Sequence, residues 1–169
     1  MHEPDRALPV TRALAARCLT LLGPFDGPLA LAGPGAVRLA SALPDGVPRA
    51  GAGQRPAAAL VTFLGAPAAP AARQAVLAEL RGRLAPGAPL LVVDHNQPRQ
   101  WWRRGLGAAV LLARGLPPAR ARYPAARELA ALGLVVERLR LARGERIQLV
   151  AARDRSCGHL RECVERPER

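Results

Sequence analysis

The chain has no lysine and very few aromatic residues. All 25 of its basic residues are arginine, against 13 acidic residues, and aromatic side chains make up 3% of its 169 residues. The core must therefore be built from leucine, valine and alanine, which suits helices packed on a sheet. A net charge of +12 leaves a nucleic-acid partner open, but arginine with abundant alanine, proline and glycine is also what GC-rich coding produces. We expect no specific nucleic-acid partner.

Cysteine is scarce as well. The chain has three, Cys18, Cys157 and Cys163, and an odd number without a dense framework does not predict a disulfide scaffold. Near the start, Glu3 and Asp5 interrupt the basic and apolar pattern that a signal peptide requires, and no apolar run is long enough to span a membrane. The sequence therefore predicts a cytoplasmic protein with no membrane partner.

Several motifs of common chemistries are missing. The sequence has no phosphate-binding loop of the Gly-x-x-x-x-Gly-Lys type, no Gly-x-Ser-x-Gly elbow and no His-Glu-x-x-His helix. Cys157, His159 and Cys163 are three candidate metal ligands close together, but a structural zinc site needs four. We expect no metal site.

The pattern of apolar residues predicts an α/β fold. Short apolar runs bounded by glycine and proline are typical of buried strands, and apolar residues three or four apart are typical of amphipathic helices. The predicted strands are 29–32, 58–64 and 89–93, with a hairpin formed by 134–141 and 145–151. The predicted helices begin near residues 8, 36, 70, 100 and 124.

Three segments in this order resemble class I S-adenosylmethionine (SAM) methyltransferases of the methyltransferase type 11-like kind. They read LALAGPGAVRLASAL, then AALVTFLGAP with AVLAELRGRLAPGAPLLVVDH, and finally RYPAARELAALGLVVERLRLARGERIQLVAAR. The resemblance implies a Rossmann-like three-layer sandwich, whose mostly parallel sheet ends in a C-terminal antiparallel hairpin. The three segments cover roughly residues 27–152. From the length of the chain we expect one domain over residues 1–152, and from the polar, charged composition of 153–169 we expect a tail.

The resemblance implies SAM as the cofactor. Gly33 and Gly35 would let the backbone approach the methionine part of SAM, because a Cβ there would block it. Ala36 and Phe63 are the other cofactor-binding candidates. A Gly-Pro-Gly sequence also occurs in turns that are purely structural, so both interpretations of this turn stay open.

The cofactor motif departs from the family pattern. Leu31 stands where the family has an acidic residue, and Val37 stands where it has a third glycine. The carboxylate that holds the ribose has no counterpart, since no Asp or Glu occurs between Asp45 and Glu79. Roughly 25 residues separate Gly33 from the next strand, which is room for only one crossover. We therefore expect a trimmed sheet that lacks one or two strands, and weak SAM binding.

Polar residues follow the strand at 89–93, at the edge where open α/β sheets bind ligands. His95 is a candidate general base, because an imidazole has an ordinary pKa of roughly 6.5 and accepts a proton near neutral pH. Asp94 would orient it. Alternatively, Asp94 caps a helix and His95 is a loop residue. The candidate substrate-binding residues are Asn96, Arg99, Trp102 and Tyr123, although Trp101 and Trp102 also fit core packing or a lid.

Two functions of different classes remain. The first is a SAM-dependent methyltransferase that acts on a small molecule. The second is a non-catalytic methyltransferase-fold relative, which serves as a binding or partner subunit and could form a homo-oligomer. Fold alone does not decide between them, because the choice depends on the cofactor site.

Overall fold

The computed structural model describes residues 11–64, 69–113 and 124–154. These parts of the chain form five helices and five strands. The helices are α1 (Arg12–Leu22), α2 (Ala36–Ala42), α3 (Pro70–Arg83), α4 (Trp101–Ala113) and α5 (Pro124–Ala131). The strands are β1 (Leu29–Ala32), β2 (Ala58–Thr62), β3 (Pro89–His95), β4 (Val135–Ala142) and β5 (Ile147–Arg153).

All five strands belong to one sheet, in the order β1-β2-β3-β5-β4. Strands β1, β2 and β3 pair in parallel, while β5 runs antiparallel to both of its neighbours. The last of the described strands therefore lies inside the sheet, between β3 and β4. The prediction of a mixed α/β fold is confirmed.

Helices cover both faces of the sheet. Leucine and alanine side chains of α1 and α2 pack on one face, against residues such as Leu60, Leu91 and Leu149. Buried residues of α3 and α5 pack on the other face, against Val92 and Val150. Because both faces are covered, β2 is buried along its whole length, as is usual for a parallel strand.

Local chemistry explains where α1 begins and ends. The side chain of Thr11 accepts a hydrogen bond of 3.3 Å from the Leu14 N–H, which is a typical N-cap. Gly23 ends the helix with φ at +79°. Cys18 faces the core from this helix, and burial raises the pKa of its thiol to about 12. Across the part of the chain that the structure describes, no helix is both long and apolar enough to cross a membrane.

Strand β1 lies at one edge of the sheet and is only partly covered there. The loop after α2 pairs with it through an isolated bridge between Arg49 and Leu29. The Leu29 N–H donates to Pro48 O at 2.8 Å, and the Ala50 N–H donates to Leu29 O at 3.0 Å. The chain then continues to β2. On its outer side, β1 is therefore paired through a single bridge only.

The hairpin differs from its predicted pattern in β4. Simple alternation along this segment predicts that Val135, Leu139 and Leu141 share one apolar face. In the structure, however, Val135 is 37% exposed, whereas Val136 and Leu139 pack against the core. The register shifts between Val136 and Arg138, where the strand carries a β-bulge. The predicted inward position of Val135 is wrong, because an extra residue reverses the alternation of side chains.

Candidate functional site

The carboxyl ends of β1, β2 and β3 meet at one edge of the sheet and bring the sequence-predicted residues together. Here the Gly35 N–H donates to Thr62 O at 3.4 Å, and the Phe63 N–H donates to Val93 O at 2.9 Å. The glycine turn, the end of β2 and the polar end of β3 are therefore neighbours. This is the position at which ligands bind in open α/β sheets.

Both glycines of the turn are packed against the end of β2. Gly33 has φ at +90°, and a Cβ built on it would overlap the carbonyl oxygen of Thr62. A Cβ on Gly35 would lie 2.6 Å from Leu64 O and 2.9 Å from Thr62 Cγ2. The N–H of Ala36 donates to Gly33 O at 3.0 Å and closes the turn. The backbone packing thus requires glycine at both positions, independently of any ligand.

Asp94 belongs to a largely buried ion cluster that sequence reasoning missed. Arg73, in the first turn of α3, places Nη2 at 2.6 Å from Asp94 Oδ2 and at 2.8 Å from Glu128 Oε2. Its Nε donates to Glu128 Oε1 at 2.8 Å, so the pair with Glu128 is bidentate. The guanidinium also lies 3.9 Å from the centroid of the Phe63 ring, at cation–π distance.

Burial and charge act in opposite directions in this cluster. Burial raises the pKa of Asp94 above its usual range, against the opposing hydrogen bond and charge of Arg73 and the His95 N–H. Burial would lower the pKa of Arg73, but the hydrogen bonds and charges of Glu128 and Asp94 outweigh it and raise that pKa. Arg73 is therefore held as a cation between two carboxylates, and Phe63, at 2% exposure, is a core residue beneath it.

Asp94 does not orient the His95 ring as we expected. Both residues lie within β3, where successive side chains point to opposite faces of the sheet. Asp94 Oδ1 instead accepts a hydrogen bond of 2.7 Å from the backbone N–H of His95. The alternative, in which Asp94 caps a helix, is also wrong, because the residue lies inside a strand.

Asn96 and Arg99 bind the hairpin loop. The Asn96 side chain is buried and donates from Nδ2 to Glu145 O at 2.8 Å, and its backbone N–H donates to Arg146 O at 2.8 Å. The Arg99 N–H donates to Glu145 Oε2 at 2.7 Å. These contacts fix the segment after β3 against the loop between β4 and β5.

The tryptophans are exposed. Trp101 is 81% and Trp102 46% exposed, and the Arg103 guanidinium lies 4.9 Å from the Trp102 ring. Core packing is therefore the wrong interpretation of Trp101. Tyr123 lies outside the described residues, so its predicted substrate contact stays a prediction.

A cavity of about 250 Å³ adjoins the end of β3. His95 and Asn96 are the predicted site residues in its wall, and α4 and the hairpin loop supply most of the rest. The described residues that line it are His95, Asn96, Gln97, Pro98, Arg104, Gly105, Gly107, Ala108, Val110, Leu111 and Arg146. Sequence reasoning missed Arg104 and Arg146 here, because nothing in their local sequence indicates that α4 and the hairpin loop meet.

Comparison with known proteins gives the fold. No protein-family model and no curated protein matches the chain. The solved structure of the pyocyanin biosynthetic protein PhzM matches with a TM-score of 0.57 at 16% identity, over 83% of this chain and 54% of PhzM. Human N-acetylserotonin methyltransferase in complex with SAM matches with a TM-score of 0.53 at 14% identity, over 90% of this chain and 49% of that protein.

An O-methyltransferase family 2 protein from Planctomyces limnophilus, in complex with apigenin, matches with a TM-score of 0.51 at 13% identity. That match covers 75% of this chain and 42% of the neighbour. The chain has the fold of SAM-dependent O-methyltransferases, and it spans about half the length of these solved structures. At such identities the likeness establishes the fold alone.

In the site that the resemblance implies, SAM would lie against the turn that contains Gly33 and Gly35. The Cβ positions of Gly33 and Gly35 face the backbone of Thr62 and Leu64, so packing within the protein already accounts for both glycines. Gly33 also lines a cavity beside Leu31 and Ala32. The ribose carboxylate has no counterpart in the sequence after Asp45 and before Glu79.

Among the described residues, no group of three or more His, Cys, Asp or Glu side chains could hold a metal ion. The candidate ligands Cys157, His159 and Cys163 lie outside the described residues.

Proposed function

We propose that this chain is a methyltransferase-fold protein that binds a small molecule and does not transfer a methyl group. The observation that carries the proposal is that the predicted cofactor glycines and the Asp94 carboxylate are engaged by the fold itself. Gly33 and Gly35 pack on β2, while Asp94 is bound by Arg73.

The proposal includes a trimmed sheet with a degenerate cofactor motif. At the outer edge of β1, Arg49 pairs with Leu29 through one bridge, where a further strand would otherwise pair. Leu31 and Val37 stand in place of the acidic residue and the third glycine, and Val37 is 81% exposed. These features support a sheet that lacks one or two strands on the β1 side.

A second candidate is an active SAM-dependent methyltransferase that acts on a small molecule. The position of His95 in the cavity wall at the end of β3 favours it. An acceptor hydroxyl held within hydrogen-bond reach of the imidazole would lose its proton to the ring nitrogen. Asn96, Arg99, Trp102 and Tyr123 are the proposed substrate contacts in this case.

Calorimetric titration with SAM and with S-adenosylhomocysteine, each up to millimolar concentration, separates the two candidates. A hydrogen bond to a charged group contributes roughly 1.5 to 3 kcal/mol, so loss of the ribose carboxylate alone weakens binding about ten- to a hundredfold. We therefore expect weak or undetectable binding. Micromolar binding that Gly35→Asp abolishes, in a variant that still folds, would establish the second candidate instead.

The same proposal includes the compartment of the protein and its state of assembly. We place it in the cytoplasm, as a binding subunit that can pair with a protein partner or with a second copy. Light scattering after gel filtration measures whether the purified chain is a monomer.

A further inference from the structure

The helix α4 has glycine at two positions where a side chain would normally occupy the space beside the helix. Gly107 is buried, yet a Cβ built on it would meet no atom of the described residues within 4 Å. A Cβ on Gly105, which is exposed, would also meet none of them. Glycine is a poor helix former, so two of them inside one helix are unfavourable unless the space has a use. Both residues line the cavity beside His95.

The cavity wall carries two arginines, Arg104 and Arg146, and none of the described residues that line it is an Asp or Glu. His95, Asn96 and Gln97 are its other polar residues. Arg104 is fixed in place, since its Nε donates to Pro98 O at 2.9 Å and its Nη2 donates to Arg99 O at 3.1 Å. Glu145 lies in the same loop as Arg146, but its carboxylate accepts the Arg99 N–H and is outside the lining.

The remaining wall is apolar. Ala108, Val110 and Leu111 of α4 line the cavity, as does Pro98 in the segment before α4. At about 250 Å³ the space is slightly smaller than the roughly 300 Å³ at which drug-sized ligand pockets begin. The occupant must therefore be small, apolar over most of its surface, and negatively charged at one end.

We propose that this cavity binds a small carboxylic acid with an apolar body. The carboxylate faces Arg104 and Arg146, whose planar guanidinium groups match its geometry, and the body lies against α4. A carboxylate fits better than a phosphate, because a single charge suits a wall that is mostly apolar. The inference rests on the proposed function and deepens it, since it names the ligand class of the binding protein.

The test is calorimetric titration of the full chain with benzoate, trans-cinnamate, trans-cinnamamide and inorganic phosphate. We expect cinnamate to bind, and its neutral amide to bind at least about tenfold more weakly because the charged hydrogen bonds are lost. Equal affinity for cinnamate and cinnamamide overturns the proposal. So does tighter binding of phosphate, or no binding of either carboxylate at millimolar concentration.

Two pairs of variants locate the site. Gly107→Leu fills the cavity, and Gly82→Leu makes the same change at an exposed glycine of α3 whose surroundings are also open. We expect the first to weaken cinnamate binding at least about tenfold and the second to leave it unchanged. Unchanged affinity in a folded Gly107→Leu variant overturns the proposal.

If Gly107→Leu does not fold, Arg146→Gln tests the same site, with Arg138→Gln as its control on an exposed position of β4. Arg146→Gln should weaken cinnamate binding and leave cinnamamide binding unchanged, and an equal effect of both arginine variants overturns the proposal. These titrations contain no SAM. Tight SAM binding would refute the proposed function and leave the carboxylate result unaffected, and the reverse also holds.

Discussion

Arg73 is a charged residue at a core position. It precedes Leu77, Leu80 and Leu84 at intervals of four, three and four, so it lies on the same stripe of α3 that faces the sheet. A cation there is stable only because Asp94 and Glu128 both bind it. The cost of removing it is therefore set by the two carboxylates, which would remain largely buried without a partner cation.

We predict that Arg73→Leu lowers the free energy of unfolding by about 3 to 5 kcal/mol, as is usual when one partner of a buried ion pair is lost. Arg83→Leu in the same helix is the matched control, because its pair with Glu79 is 3.4 Å long and exposed. Such pairs contribute only about 0.3 to 0.5 kcal/mol. Urea denaturation of both variants measures the difference, and equal losses would contradict a structural role for the cluster.

Gly33 provides a second test at the level of single residues. An alanine there would have the left-handed backbone of φ +90° and would also overlap the Thr62 carbonyl. The backbone strain costs about 1 to 2 kcal/mol and the overlap about 1 to 3 kcal/mol more. We predict a total loss of about 2 to 5 kcal/mol.

Gly46→Ala is its control, because Gly46 has the same φ with open space around it. The Gly46→Ala variant should show the backbone strain alone, about 1 to 2 kcal/mol. Thermal melts of both alanine variants measure the two losses of stability. If both alanines cost the same, the turn is not packed on β2, and the glycines are free to serve a ligand.

At the scale of secondary-structure elements, we expect removal of the β4–β5 hairpin to have a large effect on folding. Strand β5 pairs with β3 over Pro89–His95 and is buried at six of its seven positions. We predict that truncation after Gly133 leaves the remaining chain unfolded, because β3 then has an open edge and both cores lose a wall. Circular dichroism and thermal melting of residues 1–133 measure this, and a soluble fragment that melts cooperatively would contradict it.

The elements that sequence predicts well are those with a local signal. Runs such as Leu90–Val93 are apolar because both faces of the strand are covered, and that pattern is visible without the fold. The bulge beside Glu137 has no such signal, so the inward face of β4 was misassigned from simple alternation.

The ion cluster was missed for a different reason. Asp94, Arg73 and Glu128 are far apart in sequence, and only packing brings them together. A signal did exist, since Arg73 shares the apolar stripe of α3 and Glu128 adjoins Leu129 on the buried side of α5. Charged residues at core positions of two helices, with an acid at the end of the strand between them, are the pattern to search for.

At the scale of the whole molecule, several arginines of this basic chain interact with other groups of the protein. Arg73, Arg81 and Arg153 form ion pairs, and Arg104 binds backbone carbonyls. We predict that duplex DNA binds weakly and is released steeply as salt rises, since only counterion release drives such binding. Fluorescence anisotropy with a labelled duplex at about 50 and 200 mM salt measures it. Sequence-selective nanomolar binding at physiological salt would contradict this.

The position of β5 also constrains how the molecule can be made. Ribosomes deliver a chain from its first residue onward, and domains generally fold as units during synthesis. Here the inner strand of the sheet is the last described strand to be synthesised, so β3 keeps an unpaired edge from its own synthesis until Ile147–Arg153 has emerged. During that interval the nascent chain exposes an apolar strand edge, and that edge is where a chaperone, or another nascent copy, would first attach.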